Sequence, residues 1–117
     1  MIKSSGSLLS NSANRSIKDD MKSTVYLLTK PPQSERAKLC IQLVERSKNT
    51  VLYLAGDGVF ILLDSSVGVL PPDRIYACKE DMDARVVQPG NTAISLDQFY
   101  EQLVEDMMVR SDKTYVF

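Results

Sequence analysis

Apolar residues in this chain gather into short dense runs, and their spacing changes from one run to the next. Thr24-Val25-Tyr26-Leu27-Leu28 is nearly continuous, the pattern of a strand buried on both faces. Pro31-Pro32 ends it. Ser34 can then cap a helix reaching Ser47, in which Ala37, Cys40, Ile41 and Val44 recur at i, i+3, i+4, i+7 and make one apolar stripe. Thr50 to Ala55 is a second buried strand, closed by Gly56-Asp57-Gly58. Val59 to Leu63 fits either a strand or a short helix; we read it as a helical turn or two lying on the sheet, broken by Asp64-Ser65-Ser66.

Pro71-Pro72-Asp73 opens the next unit. Arg74 to Ala77 is the third strand, and a short helix after Cys78 ends near Arg85. Gln88-Pro89-Gly90-Asn91 is a turn and Ala93 to Leu96 a fourth strand. Asp97 is then expected to cap a helix from Gln98 to about Val109, with Phe99, Leu103, Val104, Met107 and Met108 facing inward. Thr114-Tyr115-Val116-Phe117 is a fifth strand. Repeated strand–helix units of this length imply a parallel sheet with helices on both faces. The expected fold is a small three-layer α/β/α sandwich, flavodoxin-like, with a mostly parallel sheet of about five strands. Residues 1–20 are rich in Ser, Asn and Lys and poor in apolar groups, so they read as a flexible arm before an α/β domain over 21–117.

Composition narrows the chemistry. With no histidine, Ser-His-Asp and Cys-His catalysis and His-ligated metal sites are excluded. Two cysteines, Cys40 and Cys78, cannot build a structural zinc site alone, and their spacing matches no CxxC redox motif. We expect no metal and no cofactor. A net charge of −1 without a basic stripe argues against tight direct binding to nucleic acid. Few cysteines, no secretory segment and no apolar run of spanning length point to the cytoplasm, with no membrane partner.

The residues that stand out are Ile75-Tyr76-Ala77-Cys78-Lys79-Glu80-Asp81-Met82-Asp83-Ala84-Arg85, a strand that delivers one cysteine to the first turn of a helix. A helix N-terminus carries roughly half a positive charge and unpaired N–H groups, which favour a thiolate. Function in parallel sheets sits at the carboxyl ends of the strands. Three loops fall there: Thr29 to Gln33, Gly56 to Val59, and Cys78 to Asp81. Cys78 is thus the candidate nucleophile, with burial as a small apolar residue its plainer alternative. Glu80, Asp81 and Asp83 disfavour its thiolate, and Lys79 and Arg85 oppose them. Asp57 and Gly58 are candidate ligand-positioning residues, although a turn ending the strand explains them too. Cys40 belongs to the buried stripe. The Thr29-Lys30-Pro31-Pro32 loop lacks the small polar residues that cradle an FMN phosphate, and the acidic pair of a phosphoreceiver is missing.

Two blocks resemble a known family. Leu52-Tyr53-Leu54-Ala55-Gly56-Asp57-Gly58-Val59 and the segment from Ile75 to Arg85 are similar to the DsrE/DsrF/DsrH sulfur-relay proteins. They are most similar to the DsrH/TusB branch, which carries a leucine-rich strand running into Asp-Gly-Val, then Val-Tyr-Ala and Glu-Asp-Leu-x-Ala-Arg-Gly. Ile94-Ser95-Leu96-Asp97-Gln98-Phe99 and the short aromatic end also fit, so the resemblance covers about Met21 to Phe117. It implies sulfur transfer as a cysteine persulfide, as in tRNA 2-thiouridine synthesis or sulfur oxidation. Cys78 stands in the place of the sulfur-carrying cysteine of the DsrE/TusD branch, counted back seven residues from Arg85. Asp57, Gly58, Lys79 and Arg85 are the candidate binding residues around Cys78. The resemblance also implies a homo-oligomer, most simply a dimer, sister DsrE/DsrF or TusC/TusD-like subunits, and sulfur donor and acceptor proteins. In many TusB-like chains the place of Cys78 holds another residue and the subunit is a noncatalytic partner that completes an oligomer and a docking surface; that is the alternative function. Val86 departs from the family, which usually has glycine there.

Overall fold

A computed structural model describes residues 23–63 and 70–117. The expected arm over 1–20 and the break at Asp64-Ser65-Ser66 lie outside these residues. Five strands form one parallel sheet: β1 Ser23–Leu28, β2 Thr50–Leu54, β3 Ile75–Cys78, β4 Ile94–Leu96 and β5 Ser111–Val116, ordered β4-β3-β2-β1-β5. Helix α1 spans Glu35–Arg46, α2 Lys79–Ala84 and α3 Phe99–Glu105, and a 3-10 helix spans Gly56–Leu63. The order explains the layers. From β1 to β4 the chain steps one strand at a time in one direction, so right-handed crossovers put α1, the 3-10 helix and α2 on one face. The return from β4 to β5 crosses the whole sheet and leaves α3 on the other face.

Strand alternation divides the core accordingly. Tyr26, Leu28, Leu52, Leu54, Ile75 and Ala77 meet the α1 stripe of Ala37, Cys40, Ile41 and Val44, all buried, together with Met82 and Val59. Val25, Val51, Tyr53 and Cys78 point the other way and meet Phe99 and Leu103 of α3. Ser34 caps α1 as expected, its hydroxyl accepting the Ala37 N–H at 3.1 Å. The ambiguous Val59–Leu63 run is the expected helical stretch on the sheet, with Val59 and Ile61 buried.

The last helix departs from expectation. It ends at Glu105 rather than Val109, and the next five residues, Asp106–Arg110, form a π turn with one extra residue per turn. Gln98, not Asp97, takes the cap position, without a side-chain bond. Val104, Met107 and Met108 are exposed, and the buried residue of the turn is Asp106. The reason is a polar anchor: Tyr53, fully buried in β2, donates its hydroxyl proton to the Asp106 carboxylate, which also accepts from Arg110. Burying a carboxylate is costly unless it is paired and hydrogen-bonded, and here three groups serve it, with Gln102 Nε2 the third at 3.4 Å. Burial and the Asp106 charge hold the Tyr53 phenol above its ordinary pKa. Turning Asp106 inward turns the two methionines outward. β5 begins directly afterwards with an irregular register against β1, Ser111 opposite Ser23 but Lys113 opposite Thr24.

Candidate functional site

The order of strand addition reverses between β1 and β5, the kind of crevice where ligands of such folds commonly bind. That crevice is filled here. The Phe117 ring is buried, with the Arg36 guanidinium 5.1 Å from its centroid. Thr29 donates both its N–H and its hydroxyl to the Phe117 carbonyl at 2.8 Å. Thr29 is thus committed to closing the edge.

Two strands away, the loops after β2 and β3 are bound together by charge. Arg85, at the end of α2, donates from Nε to Asp57 Oδ1 at 3.0 Å and from Nη1 to the Asp81 carbonyl at 3.2 Å. Asp81 Oδ2 accepts the Gly56 N–H at 2.7 Å. Gly56 holds φ +53°, a conformation that favours glycine, and presents its amide to that carboxylate. Gly58 is glycine for a different reason: a Cβ there would collide with the Leu28 backbone carbonyl of β1. These contacts join Asp57, Asp81 and Arg85 into one rim, whereas Lys79 turns outward to Asp83 at 2.7 Å and leaves the cluster. Gly58 is buried beneath the rim, its N–H bonded to the Ala55 carbonyl at 2.9 Å.

Cys78 closes β3 beside this rim. It takes the cap position of the six-residue α2 without closing a capping bond, and it is 4 % exposed, against Ala55, Phe99 and Tyr53 on the α3 face. Burial pushes its thiol pKa up; the Asp81 amide pulls it down, the Asp81 carboxylate raises it again, and the Glu80 amide lowers it. Burial wins, and the resting group is the thiol. Cys40 is fully buried on α1, its pKa pushed up to about 12 by loss of hydration.

The sequence reading named Asp81 only as a charge against the thiolate and missed Tyr100 altogether. Asp81 is the hub that joins the two loops; its i, i+4 spacing to Arg85 was the available signal. Tyr100, in the first turn of α3, lies close enough to Cys78, Asp81 and Glu80 for their charges to raise its phenol pKa, after burial has done so. Nothing local in the sequence places Tyr100 there, because the contact joins elements on either side of β4.

Val86 has φ +56° and is 84 % exposed. It follows a Schellman-type ending of α2, in which the Val86 N–H bonds the Asp83 carbonyl at 3.3 Å and the Val87 N–H the Met82 carbonyl at 2.9 Å. Glycine normally fills this left-handed position, and a β-branched residue there is strained by about 1–2 kcal/mol. The loop therefore keeps the geometry of a glycine-ended helix without the glycine.

Among the described residues no group of acidic, cysteine or histidine side chains is placed to hold a metal ion, and no helix is long and apolar enough to cross a membrane. No family model and no curated protein matches this sequence. Among solved structures, the chain is similar to the ychN protein from E. coli, with a TM-score of 0.63 and 17 % sequence identity over 83 % of this chain and 99 % of that one. The likeness shows the fold, a five-stranded parallel α/β sandwich.

Proposed function

We propose that the protein is a subunit of a sulfur relay of the DsrE-like kind, nearest the DsrH/TusB branch, and that Cys78 holds the sulfur in transit. The observation that carries this reading is the place of Cys78, the last residue of β3, beside a rim in which Arg85 ties Asp57 and Asp81 together. The step it would perform needs no metal and no oxidant. The Cys78 sulfur attacks the outer sulfur of a donor persulfide, a new S–S bond forms, and the donor's own S–S bond breaks. The thiol proton leaves on the donor thiolate. An acceptor thiolate then attacks the outer sulfur and expels the Cys78 thiolate. Donor and acceptor are thiol proteins that dock at the carboxyl edge, and tRNA 2-thiouridine synthesis or sulfur oxidation is the process served.

The burial of Cys78 favours a second reading. A thiol 4 % exposed, with its pKa raised mainly by burial, suits a noncatalytic partner subunit that completes a docking surface. Incubation with a cysteine desulfurase and cysteine, followed by intact-mass spectrometry, separates the two. The carrier reading expects a gain of one sulfur that disappears in Cys78→Ser; no gain in the presence of sister subunits leaves the partner reading.

A further inference from the structure

At the amino ends of β2 and β3, remote from Cys78, the chain builds a second cavity. Pro71 leads into a 3-10 turn over Pro72–Arg74, in which three residues complete a turn, so the neighbouring side chains of Asp73 and Arg74 leave it about 120° apart. Among the described residues no ion pair involves either of them. A backbone contact orients Arg74 instead: its Nε donates to the Thr50 carbonyl at 2.9 Å, which leaves the Nη1 and Nη2 end of the guanidinium unspent. Strand alternation puts the Thr50 side chain on the α1 face, with Leu52 and Leu54. Thr50 is 3 % exposed, and its hydroxyl has no partner among the described residues. Ser47, at the end of α1, differs: its hydroxyl donates to the Leu43 carbonyl at 2.8 Å. Thr50, Asp73, Arg74 and Ser47 line one cavity of about 380 Å³, walled further by Leu70 and Pro71.

We propose that this cavity binds a small zwitterion, an α-amino acid with an uncharged aliphatic side chain. The lining carries one positive and one negative charge that are not spent on each other, which favours a ligand of zero net charge bearing both signs. The free end of Arg74 presents paired N–H groups, the arrangement that best recognises a carboxylate. The same carboxylate gives the buried Thr50 hydroxyl the partner it needs. Asp73 takes the ammonium group, and Leu70 and Pro71 offer an apolar wall to the aliphatic side chain. A simple anion would meet the Asp73 charge, and a simple cation that of Arg74. The volume lies in the range of small-molecule pockets, about 300–1,000 Å³. Asp73 and Arg74 also border a cavity of about 320 Å³ on the α3 face, but its other charges, Asp106 and Arg110, already bond each other. The open Thr50 hydroxyl selects the α1 side. Arg74 and Cys78 stand at opposite ends of β3, roughly 13 Å apart along the strand, so the inference does not rest on the sulfur chemistry.

Titration of the full chain with L-leucine, followed by amide NMR, tests it. Saturable shifts are expected at the amides of Thr50, Asp73 and Arg74, with a Kd of about 0.1–1 mM, the range open to so small a ligand. Isocaproate, which lacks the ammonium group, and isoamylamine, which lacks the carboxylate, should each bind roughly tenfold more weakly. Arg74→Gln should abolish the shifts. Asp73→Asn should weaken L-leucine about tenfold and leave isocaproate no weaker; at an exposed position, it carries the test should Arg74→Gln fail to fold. Thr50→Val should weaken L-leucine severalfold in a protein that keeps its circular-dichroism spectrum, whereas a merely structural threonine would leave the affinity unmoved. No saturation by about 20 mM L-leucine would overturn the assignment. So would isocaproate or inorganic phosphate binding as tightly as L-leucine, or an unchanged L-leucine affinity in Asp73→Asn or Thr50→Val.

Discussion

Helices α1 and α3 sit on opposite faces of the same sheet and obey different rules. In α1 every residue of the apolar stripe is buried, the cap is the serine that precedes the stripe, and hydrophobic spacing alone accounts for the helix. In α3 the spacing is equally clear, yet Val104, Met107 and Met108 lie outside. The difference is one hydrogen-bonded carboxylate. α1 packs apolar atoms against apolar atoms, so rotation about its axis is set by area removed from water. At the end of α3 the buried Tyr53 hydroxyl requires an acceptor, and leaving it without one costs as much as losing a sizeable apolar contact. The chain satisfies the hydroxyl and gives up helical regularity and two methionines.

This contrast can be broken in several places. The largest effect is expected from Ile41→Ala on the α1 stripe, a loss of about 3 kcal/mol in urea denaturation, against less than about 0.5 kcal/mol for Val104→Ala at low protein concentration. Equal losses would mean that the two helices do not differ as described. Asp106→Ala should cost about 2–3 kcal/mol by stranding the Tyr53 hydroxyl, and the double variant with Tyr53→Phe should recover part of it. Simple additivity in that cycle would show that the pair does not anchor the turn.

A pH experiment reads the buried α1 thiol, with Cys40→Ala singling it out from Cys78 and Tyr53, whose pKa values burial also raises. The folded-state pKa of Cys40 lies near 12, above the unfolded value of about 8.5–9, so its contribution is intact below about pH 8.5 and is lost as pH rises toward 12. Stability should fall by about 2–3 kcal/mol between pH 8 and 11, and Cys40→Ala should flatten that slope. An unchanged slope would assign the alkaline loss to other groups. Ser34→Ala should cost about 1 kcal/mol and Asp97→Ala close to nothing, since only Ser34 caps its helix. The smallest change is a gain: Val86→Gly should stabilise by roughly 0.5 kcal/mol, as relief of the left-handed strain exceeds the added freedom of the unfolded chain. Destabilisation would place a packing contact at that exposed side chain.

The candidate site was legible in part. Cys78 at the junction of β3 and α2 follows from a short apolar strand running into an acidic first turn, and the Gly56-Asp57-Gly58 turn follows from its glycines. Their connection does not. Asp57 and Arg85 are 28 residues apart, and Asp81 and Gly56 are 25 apart; no local pattern says that these pairs meet. The thiol was readable as a balance of opposing charges, with burial as its plainer alternative. Its burial, which decides the balance, is set by Tyr53 of β2 and Phe99 of α3 closing over it.

The sequence by itself determined the elements, because apolar spacing, proline pairs and capping residues act within a few positions of one another. It determined the parallel architecture too, because strands of this length joined through helices have few other ways to pack. Tertiary structure alone decided the strand order, the plug of Phe117 in the β1–β5 crevice, the shelter of Cys78 and the π turn at Asp106. Each of these depends on a partner brought close by folding rather than by sequence, and a buried hydroxyl, carboxylate or thiol has its energy set by that partner.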